Sequence, residues 1–333
     1  MKILLDVCGG DAAPEAPLEG AAIALAKHKD LHLVLAGPRD TIETAIKEKK
    51  MDASRIEILD AKEPVLNTDH PAMFLKQKPE SSLAVAYNAL HGREDIDALI
   101  SAGPTGALLT GAVLKIGRIP GVKRPALITT LPGGAKLLDS GANMDCKPEY
   151  LEQFAEMGNI YMKILGKENP RIGLLSVGKE EGKGDELTKA AYELLKAKTD
   201  MNFIGNVEGD AACEGACDVV VCDGFAGNVF IKAGEGAAMF AMNRFKKALK
   251  RNALAKFGAL FQMKGLKEAK ATFKAIVDSC APLLGTKKLV MKCHGKAQSH
   301  VFVNTIEETM RLIDQGLIAS IEKAVASTAP EAI

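Results

Sequence analysis

Short apolar runs that end in glycine-rich loops recur along this chain, and a helical pattern follows each loop. The run from Ile172 to Val177 breaks at Gly178 into a polar loop, and a helix is predicted to begin near Asp185. Strand, glycine loop and helix in this order are the parts of a βαβ unit. Their repetition predicts an α/β fold.

The same periodicities predict the other elements. Strands are expected at Lys2 to Val7, Leu31 to Ala36, Arg55 to Leu59, Ile96 to Ile100, Ala126 to Leu131, Asn202 to Gly205, Asp218 to Cys222 and Leu289 to Cys293. Helices are expected at Leu18 to Lys27, Asp40 to Lys49, Pro71 to Leu90, Glu149 to Ile164 and Val301 to Ala326. No linker-like stretch divides the chain, so residues 1–333 are expected to form a single domain.

Charge and cysteine content exclude several classes of protein. The chain carries 43 basic and 42 acidic residues, a formal net charge of +1, which argues against a globally basic nucleic-acid binder. No apolar run has the 18 or so residues that a membrane span needs. Seven cysteines without a C-x-x-C pair favour a reducing, cytoplasmic setting. Cys213 and Cys217 could share a helix face, but no nearby histidine completes a zinc site, and no metal is expected.

The glycine loops predict a site for an anion at the carboxyl ends of the strands, where open α/β sheets bind ligands. A helix N-terminus offers unpaired N–H groups and partial positive charge, although one such loop alone is more often structural. For Asp11 a helix cap and a ligand-orienting acid are both open, and a structural role for His294 is equally open. The candidate substrate-binding residues are Asp11, Gly103, Thr105, Gly106, Asn143, Gly184, Asp223 and His294, with Lys183 as the cation.

The turn LLDSGANMDCKP carries Asp139, Asn143 and Asp145 between glycine-permitted bends. A carboxylate-rich turn can bind a metal, but this one lacks the spacing of a calcium loop. We therefore expect it to act as a hydrogen-bonding scaffold.

A cationic segment interrupts the otherwise balanced charge. Between Arg244 and Lys274 there are ten basic residues and one acidic residue, Glu268, with apolar residues at helical spacing. Residues 236–280 are thus predicted to form a basic amphipathic helical protrusion that contacts a membrane or an acidic protein, rather than only a solvated helix that packs on the core or a second subunit. The predicted contact residues are Arg244, Lys247, Lys250, Arg251, Leu254 and Phe257.

Six motifs in order resemble those of the bacterial phosphate acyltransferases of the PlsX type. They are LLDVCGGDAAPE, ISAGPTGALLTG, LLDSGANMDCKPE, VGKEEGKGDELTK, VVVCDGFAGNV, and APLLG followed by HG. The likeness runs from about Lys2 into the final helix. Cys8, Ala12 and Pro104 depart from the family pattern, and Pro104 removes a side-chain ligand and an N–H group from one loop.

The resemblance implies transfer of an acyl group from acyl-acyl carrier protein to inorganic phosphate, giving acyl phosphate for phospholipid synthesis without a cofactor. It also implies a three-layer α/β/α fold like that of isocitrate/isopropylmalate dehydrogenases, a homodimer and peripheral membrane association. Lys183 is expected to neutralise the phosphate. Asn228, aligned with the family's DGFTGN motif, is expected to bind the oxyanion or phosphate.

Three other functions compete with this interpretation. An acyl-CoA-dependent phosphotransacylase would share the chemistry. A dinucleotide-dependent dehydrogenase would need a G-x-G-x-x-G loop followed by an acid about twenty residues on, which this chain lacks. A non-catalytic membrane-surface scaffold would account for the cationic segment alone.

Overall fold

Two compact units make up the chain in the computed structural model, which describes residues 1–249, 251, 265 and 280–328. The first unit comprises Met1–Thr129, Glu156–Pro170 and Ser279–Ile333, and the second comprises Thr130–Ala155 and Arg171–Asp278. A single catalytic domain over residues 1–333 stays a prediction. Of the predicted protrusion at 236–280, the structure describes only 236–249, 251, 265 and 280.

The first unit is built on a mostly parallel sheet in the order β3-β2-β1-β4-β11-β10-β5. Among the described strands of this sheet, only β10 runs antiparallel to its neighbours, β11 and β5. The strands are β1 (Lys2–Asp6), β2 (His32–Gly37), β3 (Ile56–Asp60), β4 (Ala98–Ser101), β5 (Ala126–Thr130), β10 (Ala281–Leu284) and β11 (Leu289–Lys292). Ile3, Leu4 and Leu5 are all fully buried, as expected of a strand covered on both faces.

The helices of the first unit are α1 (Glu15–Lys27), α2 (Arg39–Glu48), α3 (Phe74–Gln77), α4 (Ser82–Gly92), α5 (Thr105–Gly111), α10 (Ser299–Asp314) and α11 (Leu317–Thr328), with a π-helical turn at Ala112–Ile116. Helices α1 and α10 approach closely at Gly20, where a Cβ would lie 2.5 Å from Phe302 Cβ.

Two predicted helices are each broken in two. The helix expected from Pro71 to Leu90 is wrong, because Pro79 restricts the residue before it and residues 78–81 turn instead. The helix expected from Val301 to Ala326 is interrupted at Gly316, whose φ of 67° is not helical. Glycine adopts this conformation without steric cost, so it ends α10.

The second unit has a parallel sheet in the order β6-β9-β7-β8. Its strands are β6 (Lys136–Leu138), β7 (Arg171–Leu175), β8 (Asn202–Val207) and β9 (Val219–Val221). Its helices are α7 (Glu186–Ala197), α8 (Gly209–Cys213) and α9 (Gly224–Leu249). One of the points at which the chain passes from one unit to the other falls within α6 (Pro148–Ile164).

Three short features of the sheets and helices differ from the prediction. Strands β6 and β10 were not predicted, because three or four apolar residues next to glycine or proline give no periodic signal. Cys213 and Cys217 do not share a helix face, since α8 ends at Cys213. Cys217 is instead buried beside the strands.

Candidate active site

Three loops of the first unit start at the carboxyl ends of adjacent parallel strands. β1, β4 and β11 lie side by side, and their last residues are Asp6, Ser101 and Lys292. Lys292 pairs in register with Ser101. The loops that begin at this edge of the sheet therefore carry three predicted site residues, Asp11, Gly103 and His294.

Direct contacts join the first and last of these loops. The N–H of Asp11 donates to Gly295 O at 2.7 Å, and a Cβ on Gly10 would lie 3.0 Å from Gly295 O. The Asp11 side chain is exposed. A helix cap at Asp11 is wrong, because α1 begins after Pro14 and has no side-chain cap.

The middle loop, Ala102 to Pro104, is held from both sides. Ser101 Oγ donates to Asp6 Oδ2 at 2.6 Å and accepts the N–H of Gly103 at 2.9 Å. Lys292 Nζ donates to Gly103 O at 2.8 Å and to Ala102 O at 3.2 Å. The N–H of Gly103, predicted to bind substrate, is therefore already used inside the loop.

Thr105 and Gly106 begin α5 and are partly exposed. The first N–H groups of a helix have no partner within it, so these two residues can offer donors to a ligand. A Cβ on Gly106 would lie 2.9 Å from Pro71 Cγ. His294 Nδ1 accepts the N–H of Lys296 at 3.1 Å, a bond that helps to shape its own turn.

A second set of loops lies at the carboxyl ends of β6, β9 and β7, which are adjacent in the second unit. These are residues 139–147, 222–223 and 176–185, and they carry Asn143, Asp223, Lys183 and Gly184. Residue Asn228 lies in the first turns of α9, directly after the β9 loop.

The buried carboxylate of Asp139 organises the loop after β6. Its Oδ1 accepts the N–H groups of Gly141 and Ala142 at 3.1 and 3.0 Å. Its Oδ2 accepts the N–H and the side-chain amide of Asn143 at 2.7 and 2.9 Å. The hydrogen-bonding scaffold predicted for this turn is confirmed.

The start of α9 is packed directly onto that scaffold. Gly224 N donates to Asn143 O at 2.8 Å, and a Cβ on Gly227 would lie only 2.0 Å from Asp139 O. A Cβ on Gly141 would lie 2.7 Å from Asn228 Nδ2, so the exposed amide of Asn228 lies over this loop. Asp223 Oδ1 accepts the N–H of Ala226 at 2.9 Å and thereby caps α9.

The loop after β7 brings Lys183 to the start of α7. Lys183 N donates to Glu180 O, and the Lys183 side chain lies over Gly178, where a Cβ would be 3.1 Å from Lys183 Cγ. Gly184 has a φ of 104°, which favours glycine. Asp185 caps α7 by accepting the N–H of Thr188 at 2.8 Å. Lys183 thus lies two residues before the capped N-terminus of α7.

Two buried polar atoms in or below this loop have no hydrogen-bond partner among the described residues. They are Ser176 Oγ, at the first residue of the loop, and Asn206 Oδ1, on β8. The amide nitrogen of Asn206 donates to Glu180 O at 2.8 Å and supports the loop from below.

Burial sets the ionisation of the groups under the loops. Burial raises the pKa of Asp6, while hydrogen bonds from Ser101, Ser82 and the N–H of Cys8 and the charge of Lys292 act in the opposite direction. Burial also raises the pKa of the Cys8 thiol to about 11 and that of the Cys222 thiol well above its ordinary value. Protonated thiols are poor nucleophiles, so neither cysteine is poised for covalent catalysis.

Within the described ranges, no group of three or more histidine, cysteine or acidic side chains is placed to hold a metal ion. The same part of the chain contains no helix that is both long enough and apolar enough to cross a membrane. Of the predicted contact residues, Arg244, Lys247 and Arg251 are exposed on or just after α9. Lys250, Leu254 and Phe257 lie outside the described residues.

Comparison with known proteins places the chain in a family. A family model described as "Fatty acid synthesis protein" matches residues 1–320. A protein of Clostridium perfringens named "Phosphate acyltransferase" is 41% identical over 329 residues, covering 98% of this chain and 97% of the relative. The chain belongs to the phosphate acyltransferase family. The predicted resemblance is confirmed, and the chain is an enzyme of this family.

Solved structures share the fold at much lower identity. A phosphotransacetylase from Streptococcus pyogenes superposes with a TM-score of 0.54 at 15% identity, covering 98% of this chain and 94% of the other. A putative 4-hydroxythreonine-4-phosphate dehydrogenase from Salmonella typhimurium has a TM-score of 0.51 at 15% identity, covering 93% and 99%. The predicted α/β fold class, shared between transacylases and dehydrogenases, is confirmed.

The sequence reasoning missed the residues that support the loops from below. Asp6 and Lys292 were counted only as parts of strands, and Asn206 was placed beyond the end of its strand. A charged residue that closes an otherwise apolar strand run is the signal that could have identified Asp6 and Lys292, because burial of a charge requires compensating partners.

Proposed function

We propose that this enzyme transfers a fatty acyl group from acyl-acyl carrier protein to inorganic phosphate, and that the acyl phosphate product feeds bacterial phospholipid synthesis. The proposal requires no cofactor. The observation that carries it is the second unit's loop cluster, in which a lysine, an exposed amide and two helix N-termini lie at the ends of three adjacent strands.

Phosphate binding is assigned first to Lys183. A phosphate dianion must lose part of its hydration and be held against the thioester carbon, which requires a cation and several N–H donors. Lys183 supplies the cation, and the start of α7 with Gly184 supplies N–H groups. A phosphate oxygen already carries the lone pair that attacks, so no general base is needed.

Asn228 is assigned to the oxyanion. When phosphate attacks, the carbonyl oxygen gains negative charge, and a donor fixed in advance stabilises that charge. The amide of Asn228 is held near Gly141 by the packing of α9 on the Asp139 loop. As the tetrahedral intermediate collapses, the C–S bond breaks and a thiolate leaves, which needs little acid catalysis.

The other predicted residues are proposed to bind the two substrates. Asn143 and Asp223 shape the Asn228 end of the second unit, while Asp11, Thr105, Gly106 and His294 line the loops of the first unit. Gly103 takes part through its conformation, because its N–H is bonded to Ser101.

Helix α9 is proposed to dock the acidic carrier protein or an anionic membrane surface, and to contribute to a homodimer. It carries large exposed apolar side chains together with exposed Arg244 and Lys247. Exposed apolar and basic residues on one helix suit an interface with an anionic partner. The exposed apolar residues are Phe225, Val229, Met239, Phe240 and Phe245.

The test is thiol release by the purified enzyme from long-chain acyl-acyl carrier protein, with and without inorganic phosphate. Phosphate-dependent release with acyl phosphate as product is the expected result. Faster phosphate-dependent release from acyl-CoA than from the carrier-protein thioester would overturn the donor assignment. No release from either thioester by folded protein would overturn the reaction itself.

A further inference from the structure

The last residues of three neighbouring strands form a hydrogen-bonded charged group beneath the loop Ala102 to Pro104. Asp6 ends β1, Ser101 ends β4 and Lys292 ends β11, and these strands are hydrogen-bonded in the order β1-β4-β11. Asp6 is 1% exposed and Ser101 is fully buried. None of the three is used in the proposed chemistry.

With Asp6 ionised, the hydrogen bonds within this group have one consistent direction. Ser101 Oγ accepts the N–H of Gly103, so its single hydrogen is free to be donated to Asp6 Oδ2, 2.6 Å away. Asp6 Oδ1 accepts the N–H of Cys8 at 3.1 Å. Donors therefore surround the carboxyl of Asp6, as an ionised acceptor requires.

Lys292 fixes the other side of the same loop. Its ammonium donates to the carbonyl oxygens of Ala102 and Gly103. Its positive charge also favours the ionised form of Asp6. Both backbone polar groups of Gly103 are thus hydrogen-bonded, the N–H to Ser101 and the carbonyl oxygen to Lys292. This orientation sets where the chain enters α5 at Thr105.

The loop after β1 is tied to the same carboxylate. A Cβ on Gly9 would lie 2.7 Å from Asp6 Oδ2 and 2.6 Å from Gly103 N, so the two loops touch at Asp6. Loss of the carboxylate would loosen both loops together.

We propose that Asp6 is a positioning residue, which acts through Ser101 to fix the loop that presents Thr105 and Gly106 to the substrates. The inference rests on the proposed function, because it gives the loop a substrate to bind. It adds a residue that acts on the site through another side chain rather than by touching the substrates.

The test compares Asp6→Asn, Ser101→Ala and the double variant in the phosphate-dependent thiol-release assay. Asparagine has the shape of aspartate but replaces one acceptor oxygen with a donor, which must then face Ser101 or the N–H of Cys8. Because misplacement of a binding group by about 1 Å can cost roughly 100-fold in rate, each single variant is expected to lower kcat/KM by about 10- to 100-fold. If Asp6 acts through Ser101, the kcat/KM of the double variant should be little lower than that of either single variant.

A second measurement does not depend on turnover. Hydrogen exchange in a peptide covering residues 102–108 should become faster in both single variants, because the Gly103 amide loses its acceptor or that acceptor's support. Thr309→Val is the matched control, since Thr309 is equally buried and donates only to Thr305 O on α10. It should change the melting temperature without changing kcat/KM or exchange in 102–108.

The proposal would be overturned if Asp6→Asn had the same kcat/KM and the same hydrogen exchange in residues 102–108 as the wild type. It would also be overturned if the losses in kcat/KM of the two single variants were strictly additive in the double variant. If Asp6→Asn does not fold, Ser101→Ala decides the question alone by the same two readouts. An inactive wild-type enzyme would instead refute the proposed function, and the exchange measurement would still decide whether Asp6 positions the loop.

Discussion

At the scale of single residues, two glycines at the start of α9 are required by the closeness of a neighbouring backbone. A Cβ on Gly224 would lie 2.5 Å from Asn143 O, and one on Gly227 would lie 2.0 Å from Asp139 O. Neither glycine has a positive φ. Close approach therefore explains why the motif DGFAGN has glycine where it does.

Gly227→Ala is expected to destabilise the protein by about 1–3 kcal/mol, the usual cost of overpacking, and to displace Asn228. Gly234→Ala is the matched control in the same helix, because nothing lies within 4 Å of the added Cβ. It should stabilise α9 by roughly 0.5–1 kcal/mol. Chemical denaturation of both variants measures the difference, and equal stabilities would contradict the contact.

Lys183→Ala is expected to raise the KM for phosphate about 10- to 100-fold, since a hydrogen bond to a charged group contributes about 1.5–3 kcal/mol. The KM for the acyl donor should change much less. Lys189→Ala, which removes an exposed lysine of α7 beyond the loop, provides the control. Full turnover of Lys183→Ala with an unchanged dependence on phosphate would show that the assignment is wrong.

The sequence was sufficient for the Asp139 turn, whose role as a hydrogen-bonding scaffold follows from its own carboxylate and amide groups. It was not sufficient for roles that depend on neighbours in space. Gly103 was expected to offer its N–H to a ligand, but Ser101, two residues earlier, takes that N–H because Asp6 of another strand fixes the hydroxyl. No local pattern encodes the adjacency of β1 and β4.

At the scale of elements, apolar runs and glycine loops predicted most strands and helices to within one or two residues. The failures share a physical cause. At Pro79 and at Gly316, the apolar residues before and after the break keep the same helical spacing. Periodicity alone therefore predicts one helix where the structure has two. Strand β10 was missed because an antiparallel strand of four residues needs its partners to be recognised.

The cap of α7 is the element whose strength can be tested most directly. Asp185→Ala should cost about 0.5–2 kcal/mol, whereas Asp185→Asn should cost much less, because asparagine also caps helices well and lacks only the charge of the carboxylate. The hydrogen bonds from Thr188 lower the pKa of Asp185, so the cap's ionised form contributes stability above the ordinary pKa of 3.8. That contribution is lost as the pH falls through the lowered pKa.

Thermal unfolding of the three proteins between pH 3 and pH 7 measures this cap. The wild type should lose its advantage over Asp185→Asn towards the acid end of the range. Because Asp185 follows Gly184 directly, the alanine variant should also raise the KM for phosphate. An alanine variant as stable as the wild type at pH 7 would mean that the cap is not formed.

At the scale of the whole molecule, the stability at acid pH depends on carboxyl groups whose pKa values are shifted in opposite directions by the fold. Hydrogen bonds from Arg93 are the largest cause of the lowered pKa values of Glu57 and Asp95, and both contacts lie in the first unit. Asp6 has the opposite sign, since burial raises its pKa. A carboxylate whose pKa is lowered in the fold stabilises the fold above its ordinary pKa. A carboxyl whose pKa is raised opposes folding when it is ionised.

The wild type is therefore expected to lose stability as the pH falls from about 4.5 to below 3.8, the ordinary pKa values of glutamate and aspartate. Arg93→Met should be less stable than the wild type at pH 7, and its stability should fall less steeply across this window, because the largest cause of the lowered pKa values of Glu57 and Asp95 is removed while the weaker effect of Lys2 remains. Arg39→Met, which removes the surface pair with Glu43, should leave the slope unchanged. Melting temperatures at pH 3 to 7 give all three slopes, and parallel curves for wild type and Arg93→Met would show that this network does not set the acid stability.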